Sequence, residues 1–141
     1  MKHLLLSLTF LLFAGGLFAQ TETKKSPAQK DTEALVAEYQ LNDDQAAEML
    51  KVQERKYRNL KEFEPLMNQD VKLYLRKLRA LVNATDASFR RILNDEQIKT
   101  YNQKKQELRQ QKAQLYKEMK AAGASQFEID KKLVQLDLEA I

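Results

Sequence analysis

Apolar residues recur every three or four positions along most of this chain, which is the spacing of one face of an α-helix. The clearest run lies between residues 69 and 92, where apolar and basic residues occupy opposite sides. Its apolar stripe consists of Val71, Tyr74, Leu75, Leu78, Leu81, Val82, Phe89 and Ile92. The stripe stays in phase across "NATD" at 83–86, so this stretch is predicted to be helical and not a loop.

Four further helices are predicted, at residues 26–39, 43–63, 95–122 and 126–140. Pro65 predicts a break between Glu62 and Asn68, because proline inside a helix costs about 3 kcal/mol. The middle of the helix at 95–122 is nearly all polar, which is typical of a solvated helix or half of a thin coiled coil. No segment alternates with a period of two, so we predict an all-α fold without strands.

Nearly the same five residues, "LNDDQ" at 41–45 and "LNDEQ" at 93–97, start two of these helices. Asn42 and Asn94 are predicted N-caps, and Gln45 and Gln97 can bond back to them, which makes two capping boxes. The acidic residues that follow each asparagine suit the positive end of the helix dipole. Leu41 and Leu93 precede the caps and can pack against the turns that follow. The repeat therefore marks two helix starts, and the stretch between them must reverse the chain.

The first nineteen residues have the order of a secretory signal peptide: a short basic start, an apolar run and then small residues. Cleavage is predicted after Ala19; the alternative is an uncleaved N-terminal anchor. The apolar run from Leu4 to Phe13 is shorter than the roughly 20 residues of a membrane span. Residues 20–25 are predicted to be a disordered linker and residues 26–141 a single helical domain.

The composition excludes several classes of chemistry. The chain has no cysteine or tryptophan, and its single histidine, His3, is lost with the signal peptide. Histidine-based nucleophilic triads and His/Cys zinc sites are therefore excluded, and no acidic cluster has the spacing of a Ca²⁺ or Mg²⁺ site. We expect no enzymatic activity, no catalytic residue, no metal and no cofactor.

Lys72, Arg76, Arg79 and Arg90 form the basic face of the helix at 69–92. Between Asp70 and Arg91 there are six basic and two acidic residues. One interpretation is a solvated face, which charge runs usually form. The other is a surface that attracts acidic, partly unfolded proteins, since such a field raises encounter rates without requiring one sequence.

Removal of Lys2 leaves 23 basic and 20 acidic residues, so the net charge of the mature chain is only +3. This mild excess does not indicate nucleic-acid binding. A thin helical hairpin of roughly 120 residues would bury little apolar surface alone, and we therefore expect a homodimer. No stable membrane insertion is expected after cleavage.

Paired Leu-Thr-x-x-Gln-like motifs that begin helices, in a small exported all-α protein, resemble the Spy/CpxP family of periplasmic proteins. The matching residues are Leu41, Asn42 and Gln45, then Leu93, Asn94 and Gln97, with asparagine in place of the family's threonine. The resemblance covers roughly residues 35–120. It implies long, kinked helices in an antiparallel hairpin that dimerises into a thin cradle. It also implies ATP-independent chaperone activity toward unfolded proteins, or restraint of a stress sensor.

Three functional hypotheses follow. The first is a periplasmic chaperone-like protein that binds unfolded or aggregation-prone proteins under envelope stress. The second is a regulatory module that docks on an envelope-stress sensor protein. A structural envelope protein without a client is a third. The sequence does not separate the first two, and the role of the helix at 126–140 lies outside the resemblance.

Overall fold

The computed structural model describes residues 24–141, and this part of the chain is helical and contains no β-strand. The helices are α1 (Pro27–Tyr39), α2 (Asp43–Phe63), α3 (Leu66–Gln69), α4 (Val71–Ile92), α5 (Asp95–Ala121) and α6 (Gln126–Glu139). The predicted all-α class is confirmed. The predicted signal peptide and most of the predicted linker lie outside the described residues. Lys24 and Lys25, at the end of that linker, are exposed and not helical.

Four of the helices begin with a complete capping box. In each box, two residues three positions apart accept hydrogen bonds with their side chains from each other's backbone N–H groups. The boxes pair Ser26 with Gln29, Asn42 with Gln45, Asn94 with Gln97, and Ser125 with Glu128. Each box satisfies backbone N–H groups that the first turn of a helix would otherwise leave without partners. The predicted starts of these helices are therefore confirmed.

The predicted break around Pro65 is present, but it contains one helical turn. α2 ends at Phe63, and Pro65 starts the four-residue α3, since proline is compatible with a first turn but not with an interior one. Asp70 then caps α4 by accepting a hydrogen bond from the Leu73 backbone N–H at 2.9 Å. α4 continues without interruption across residues 83–86, as predicted.

α2 and α4 form an antiparallel hairpin. The Gln45 amide nitrogen lies 2.7 Å from the Ile92 carbonyl oxygen, and an Arg55 guanidinium nitrogen lies 2.8 Å from the Ser88 hydroxyl. Nearer the turn, the Lys77 ammonium lies 5.5 Å from the centre of the Phe63 ring. Residue numbers therefore rise along α2 as they fall along α4.

The core lies between this hairpin and the helices that cover it. α1 packs against α2, whereas α6 packs against both α4 and α5. Three aromatic rings from α1, α4 and α5 meet edge to face, with Phe89 4.9 Å from Tyr39 and 6.0 Å from Tyr101 between centroids. The buried cluster includes Leu35, Tyr39, Leu41, Met49, Val52, Phe63, Leu78, Leu81, Val82, Phe89, Tyr101 and Val134. Helices of a single chain thus share one core, because α1 and α6 add apolar side chains to those of the α2–α4 hairpin.

Candidate functional site

The two repeated motifs meet in space. A Gln45 amide N–H group donates to the Gln97 side-chain oxygen at 2.7 Å, and a Gln97 amide N–H group donates back to the Gln45 oxygen at 3.1 Å. Each glutamine also reaches the backbone before the other motif. Gln45 donates to the Ile92 carbonyl at 2.7 Å, and Gln97 donates to the Gln40 carbonyl at 3.2 Å. The arrangement has approximate two-fold symmetry, which follows from the sequence repeat.

The hydrogen-bonding capacity of both carboxamides is filled. A glutamine amide has two N–H donors and an oxygen with two lone pairs. Besides the contacts between motifs, the Gln45 oxygen accepts from the Asn42 N–H at 3.0 Å, and the Gln97 oxygen accepts from the Asn94 N–H at 2.9 Å. Within residues 24–141, the two glutamine carboxamides therefore keep no free donor or acceptor for a ligand. Its arrangement is that of a joint between the start of α2 and the start of α5.

The leucines of the motifs add apolar contacts beside this joint. Leu41 is buried in the core cluster, and Leu93 is partly buried against it. Leu41 also donates its backbone N–H to the Val36 carbonyl at 3.2 Å, where the chain leaves α1. The helix-capping role predicted for the motif residues thus extends to the connection between α1 and α2.

Three of the four predicted basic-face residues surround one open cavity between α4 and α6. The cavity has a volume of about 470 Å³ and is lined by Asp70, Lys72, Leu75, Arg76, Arg79 and Asp130. All three basic side chains are exposed, while Leu75 is buried and lines the cavity with apolar surface. Three positive and two negative side chains give this basic cavity a net charge of +1.

One of these basic residues is already paired. Arg79 donates to the Asp130 carboxylate at 2.8 Å, with the arginine side chain about half exposed. Asp130 belongs to α6, so the spacing of residues along α4 does not indicate that it is a neighbour. Within residues 24–141, Lys72 and Arg76 form no ion pair. These two side chains therefore carry the available positive charge of the basic cavity.

The fourth basic-face residue, Arg90, lies elsewhere. It shares the helical stripe with Arg79 but is about 16 Å further along the axis of α4. Its guanidinium lies 5.7 Å from the centre of the Tyr101 ring, at a cation–π distance. The Tyr101 hydroxyl donates to the Asp86 carboxylate at 2.7 Å. Burial and this hydrogen bond raise the pKa of Tyr101. Arg90 thus belongs to a separate cluster at the contact of α4 and α5.

A second groove, absent from our sequence analysis, lies between α2 and α4. Its volume is about 590 Å³, and its lining includes Arg55, Ser88 and Arg91. The two arginines reach the same hydroxyl oxygen, that of Ser88, at 2.8 Å and 3.4 Å. Arginines 36 positions apart in sequence converge here only because the hairpin register places residue 55 opposite residue 88.

A buried polar stripe runs along the α1-facing and α6-facing side of α2. Lys56 is 2% exposed, and its ammonium donates to the Asp31 carboxylate at 2.9 Å and to the main-chain oxygen of Ile141 at 2.5 Å. Burial lowers the pKa of Lys56, and the contact with Asp31 opposes that shift. One turn earlier, Gln53 is fully buried, and its amide atoms have no hydrogen-bond partner within residues 24–141.

Tyr57 completes the cluster around Asp31. Its hydroxyl donates to the same carboxylate oxygen at 2.7 Å. Burial, followed by this contact, raises the pKa of Tyr57 to about 12. Asp31 therefore joins α1 to two neighbouring residues of α2, and the ammonium of one of them also holds the end of α6.

No helix in the described part of the chain has the length and apolar character needed to cross a membrane.

No curated protein and no solved structure matches the chain. Residues 18–101 match the family described as "Domain of unknown function (DUF4890)". This match spans both repeated motifs, α1 to α4 and the first part of α5, which is more than half of the chain. The protein therefore belongs to the DUF4890 family.

Proposed function

We propose that this protein is an exported, ATP-independent chaperone-like protein of the periplasm that binds unfolded or aggregation-prone proteins under envelope stress. The observation that carries this proposal is the basic cavity between α4 and α6. Within residues 24–141, Lys72 and Arg76 present positive charge there without an ion-pair partner, beside the apolar surface of Leu75. The resemblance of the paired motifs to the Spy/CpxP family supports the same function.

The mechanism we propose is transient binding without a catalytic step. A basic surface accelerates encounter with acidic chain segments without demanding a particular sequence. Contact with the apolar surface that lines the cavity would then hide the segments through which unfolded chains aggregate. Because the charges are exposed, salt should weaken this attraction.

The first test is aggregation of a chemically denatured acidic protein diluted into buffer, with and without purified residues 20–141. Light scattering is recorded at low and at high salt. Suppression at near-stoichiometric amounts that weakens with salt is the expected result. Suppression indifferent to salt would move the binding surface from the basic cavity to apolar surface. No suppression would contradict chaperone activity.

Charge reversal tests the basic cavity itself. We expect Lys72→Glu with Arg76→Glu to reduce suppression at least several-fold without changing the midpoint of thermal unfolding. Arg79 is a poorer choice, because its reversal would place a negative charge against Asp130. The matched control is Arg58→Glu with Lys61→Glu on α2, which changes the net charge equally at exposed positions outside the cavity. Equal loss of suppression in both double variants would contradict the assignment to this cavity.

The alternative is the regulatory module that docks on an envelope-stress sensor protein. Pull-downs from envelope extracts distinguish the two functions. Many substoichiometric partners support the chaperone, whereas one stoichiometric partner supports the regulator. The same charge-reversed variant shows whether either class of partner uses the basic cavity.

We also propose a homodimer. Sedimentation equilibrium at tens of micromolar should give twice the mass of one mature chain. A monomeric mass there would contradict this proposal. It would leave the chaperone proposal standing, because the basic cavity is formed within one chain.

A further inference from the structure

The groove between α2 and α4 combines charged rims with apolar surface. Its lining residues are Asp44, Gln45, Glu48, Lys51, Val52, Arg55, Ser88, Arg91 and Ile92. Val52 is buried and Ile92 half-buried, so apolar surface lies between the charged side chains. The basic cavity described above is on a different pair of helices and shares no lining residue with this groove.

Two guanidinium groups are held at one end of the groove by a single hydroxyl. Ser88 donates its hydroxyl hydrogen to the Ala84 carbonyl at 2.8 Å. The lone pairs of the same oxygen accept an N–H group of Arg55 at 2.8 Å and one of Arg91 at 3.4 Å. The hydroxyl therefore fixes where two positive groups approach each other.

This pair of guanidinium groups lacks a counter-charge. Within residues 24–141, neither Arg55 nor Arg91 has a carboxylate oxygen within 4 Å, whereas Lys51 of the same groove is paired with Glu48 at 2.6 Å. Each guanidinium has five N–H donors, and the contacts above occupy few of them. Adjacent like charges repel, and an oxyanion between them would remove that repulsion and accept the remaining N–H groups.

We propose that this groove binds the free C-terminal carboxylate of an extended peptide, with the carboxylate between Arg55 and Arg91. Three cationic and two anionic lining side chains give the groove a net charge of +1, which matches a monoanion. A phosphate dianion is a poorer match, because Asp44 and Glu48 occupy the other end.

The dimensions of the groove favour a short peptide. Asp44 and Arg55 are eleven residues apart on α2, which is about 16 Å along the helix axis. An extended chain of about five residues covers that distance. Such a peptide would place its carboxylate at the arginine pair, apolar side chains against Val52 and Ile92, and a basic side chain near Asp44. The proposal does not depend on chaperone activity.

The test is fluorescence anisotropy with a labelled pentapeptide that has lysine first, leucine last and alanine between. Residues 20–141, which include every residue the structure describes, are titrated against the peptide with a free carboxylate and against its C-terminal amide. We expect the acid to bind at least tenfold more tightly than the amide. Arg55→Gln and Arg91→Gln should each weaken binding of the acid about tenfold, the loss of one charge-assisted contact. Arg58→Gln, an exposed arginine of α2 outside the groove, should leave it unchanged.

Competition identifies the source of the oxyanion. An unlabelled free-acid peptide should displace the probe at lower concentration than an amidated peptide whose only carboxylate is an aspartate side chain. Stronger displacement by the aspartate peptide or by inorganic phosphate would overturn the assignment to a C-terminus. Equal binding of acid and amide, or equal losses in the Arg58 control, would overturn the site. Circular dichroism of each variant establishes that the helices remain folded.

Discussion

Gln45 and Gln97 each close a capping box and also bridge to the other motif, so one side chain serves a local and a long-range contact. The local part could be predicted, because a capping box involves residues three positions apart. The bridge could not, because the two amides are 52 residues apart and meet only through the register of the α2–α4 hairpin. The sequence repeat alone contains no information about that register.

The substitution Gln97→Glu separates these two roles. Glutamate still accepts the Asn94 N–H and so keeps the capping box, but it loses both amide donors and faces the Gln45 oxygen and the Tyr39 carbonyl. We expect a loss of about 2 kcal/mol in the free energy of unfolding at pH 7, because partly buried acceptors lose their donors. Urea unfolding measures it.

The control for this substitution is Gln29→Glu. Gln29 closes an equivalent box at the start of α1, but it is exposed, and within residues 24–141 its side chain bonds only to Ser26. Its replacement should change the free energy of unfolding by less than about 0.5 kcal/mol. Similar losses at both positions would show that the amide bridge contributes no stability.

The tyrosines make the free energy of unfolding depend on pH in the alkaline range. Burial, more than any other factor, raises the pKa of Tyr39 and of Tyr57 to about 12, and it also raises that of Tyr101. A tyrosine with a raised pKa stabilises the fold fully below its unfolded pKa of 10.0, and this contribution is lost as pH rises toward 12. Lys56 acts in the opposite direction. Because its pKa is lowered in the folded state, the folded chain releases this proton at a lower pH than the unfolded chain, and the free energy of unfolding rises as pH approaches 10.5.

Three tyrosines outweigh one lysine, so we expect the free energy of unfolding to fall between pH 10 and pH 12. Chemical denaturation at a series of pH values measures the slope. In Tyr57→Phe one of these groups is absent, so the slope over that window should be shallower. The variant should also be less stable at pH 7, because the contact of the hydroxyl with Asp31 is lost. An unchanged slope would mean that Tyr57 ionises equally in both states.

At the scale of the helices, the ends were predictable where a side chain marks them. The starts of α1, α2, α5 and α6 follow from capping residues, and the end of α2 follows from Pro65. Two features were not predicted. The first is α3, which lies within the expected break. Its four residues are too few to show a periodic pattern. Gln40 adopts a left-handed conformation with φ of 52°, which glycine or asparagine usually provides.

Two positions of residues 24–141 have a left-handed backbone, and substitutions at them should change stability in opposite directions. Gln40→Gly should raise the free energy of unfolding by about 0.5 kcal/mol, since relief of the left-handed strain exceeds the entropic cost of glycine. Gly123, at φ of 78° after α5, ends its helix in the same way. Gly123→Ala should lower the free energy of unfolding by about 1 kcal/mol, although the added methyl group meets no atom within 4 Å. Thermal unfolding of both variants measures the effects, and a shift of the same sign in both would contradict the argument from backbone strain.

At the scale of the whole molecule, the basic cavity and the groove between α2 and α4 arise where helices from different parts of the sequence come together. Lys72, Arg76 and Arg79 could be assigned to one face of α4 from their spacing. The contribution of Asp130, and the convergence of Arg55 with Arg91, depend on packing that periodicity does not encode. The family match ends at residue 101, yet α6 covers the core and supplies one wall of the basic cavity.

This position of α6 predicts that the helix is integral to the fold. Ile129 is fully buried and Val134 is 5% exposed, and Lys56 donates to the main-chain oxygens of Leu138 and Ile141. A chain that ends at Ala122 loses these contacts, and the Lys56 ammonium keeps the Asp31 carboxylate and the face of the Tyr57 ring at 5.1 Å. Removal of one large buried aliphatic side chain typically costs 2–5 kcal/mol, against a total stability of about 5–15 kcal/mol.

We therefore expect the chain truncated at Ala122 to lose cooperative thermal unfolding and to bind a dye for exposed apolar surface. Ile129→Ala is the milder form of the same test and should cost about 3 kcal/mol with cooperativity retained. Lys132→Ala, at an exposed position of α6, should change stability by less than about 0.5 kcal/mol. Unfolding of the truncated chain at an unchanged midpoint would mean that α1 to α5 fold as a unit. In that case α6 would supply one wall of the basic cavity without being part of the folding unit.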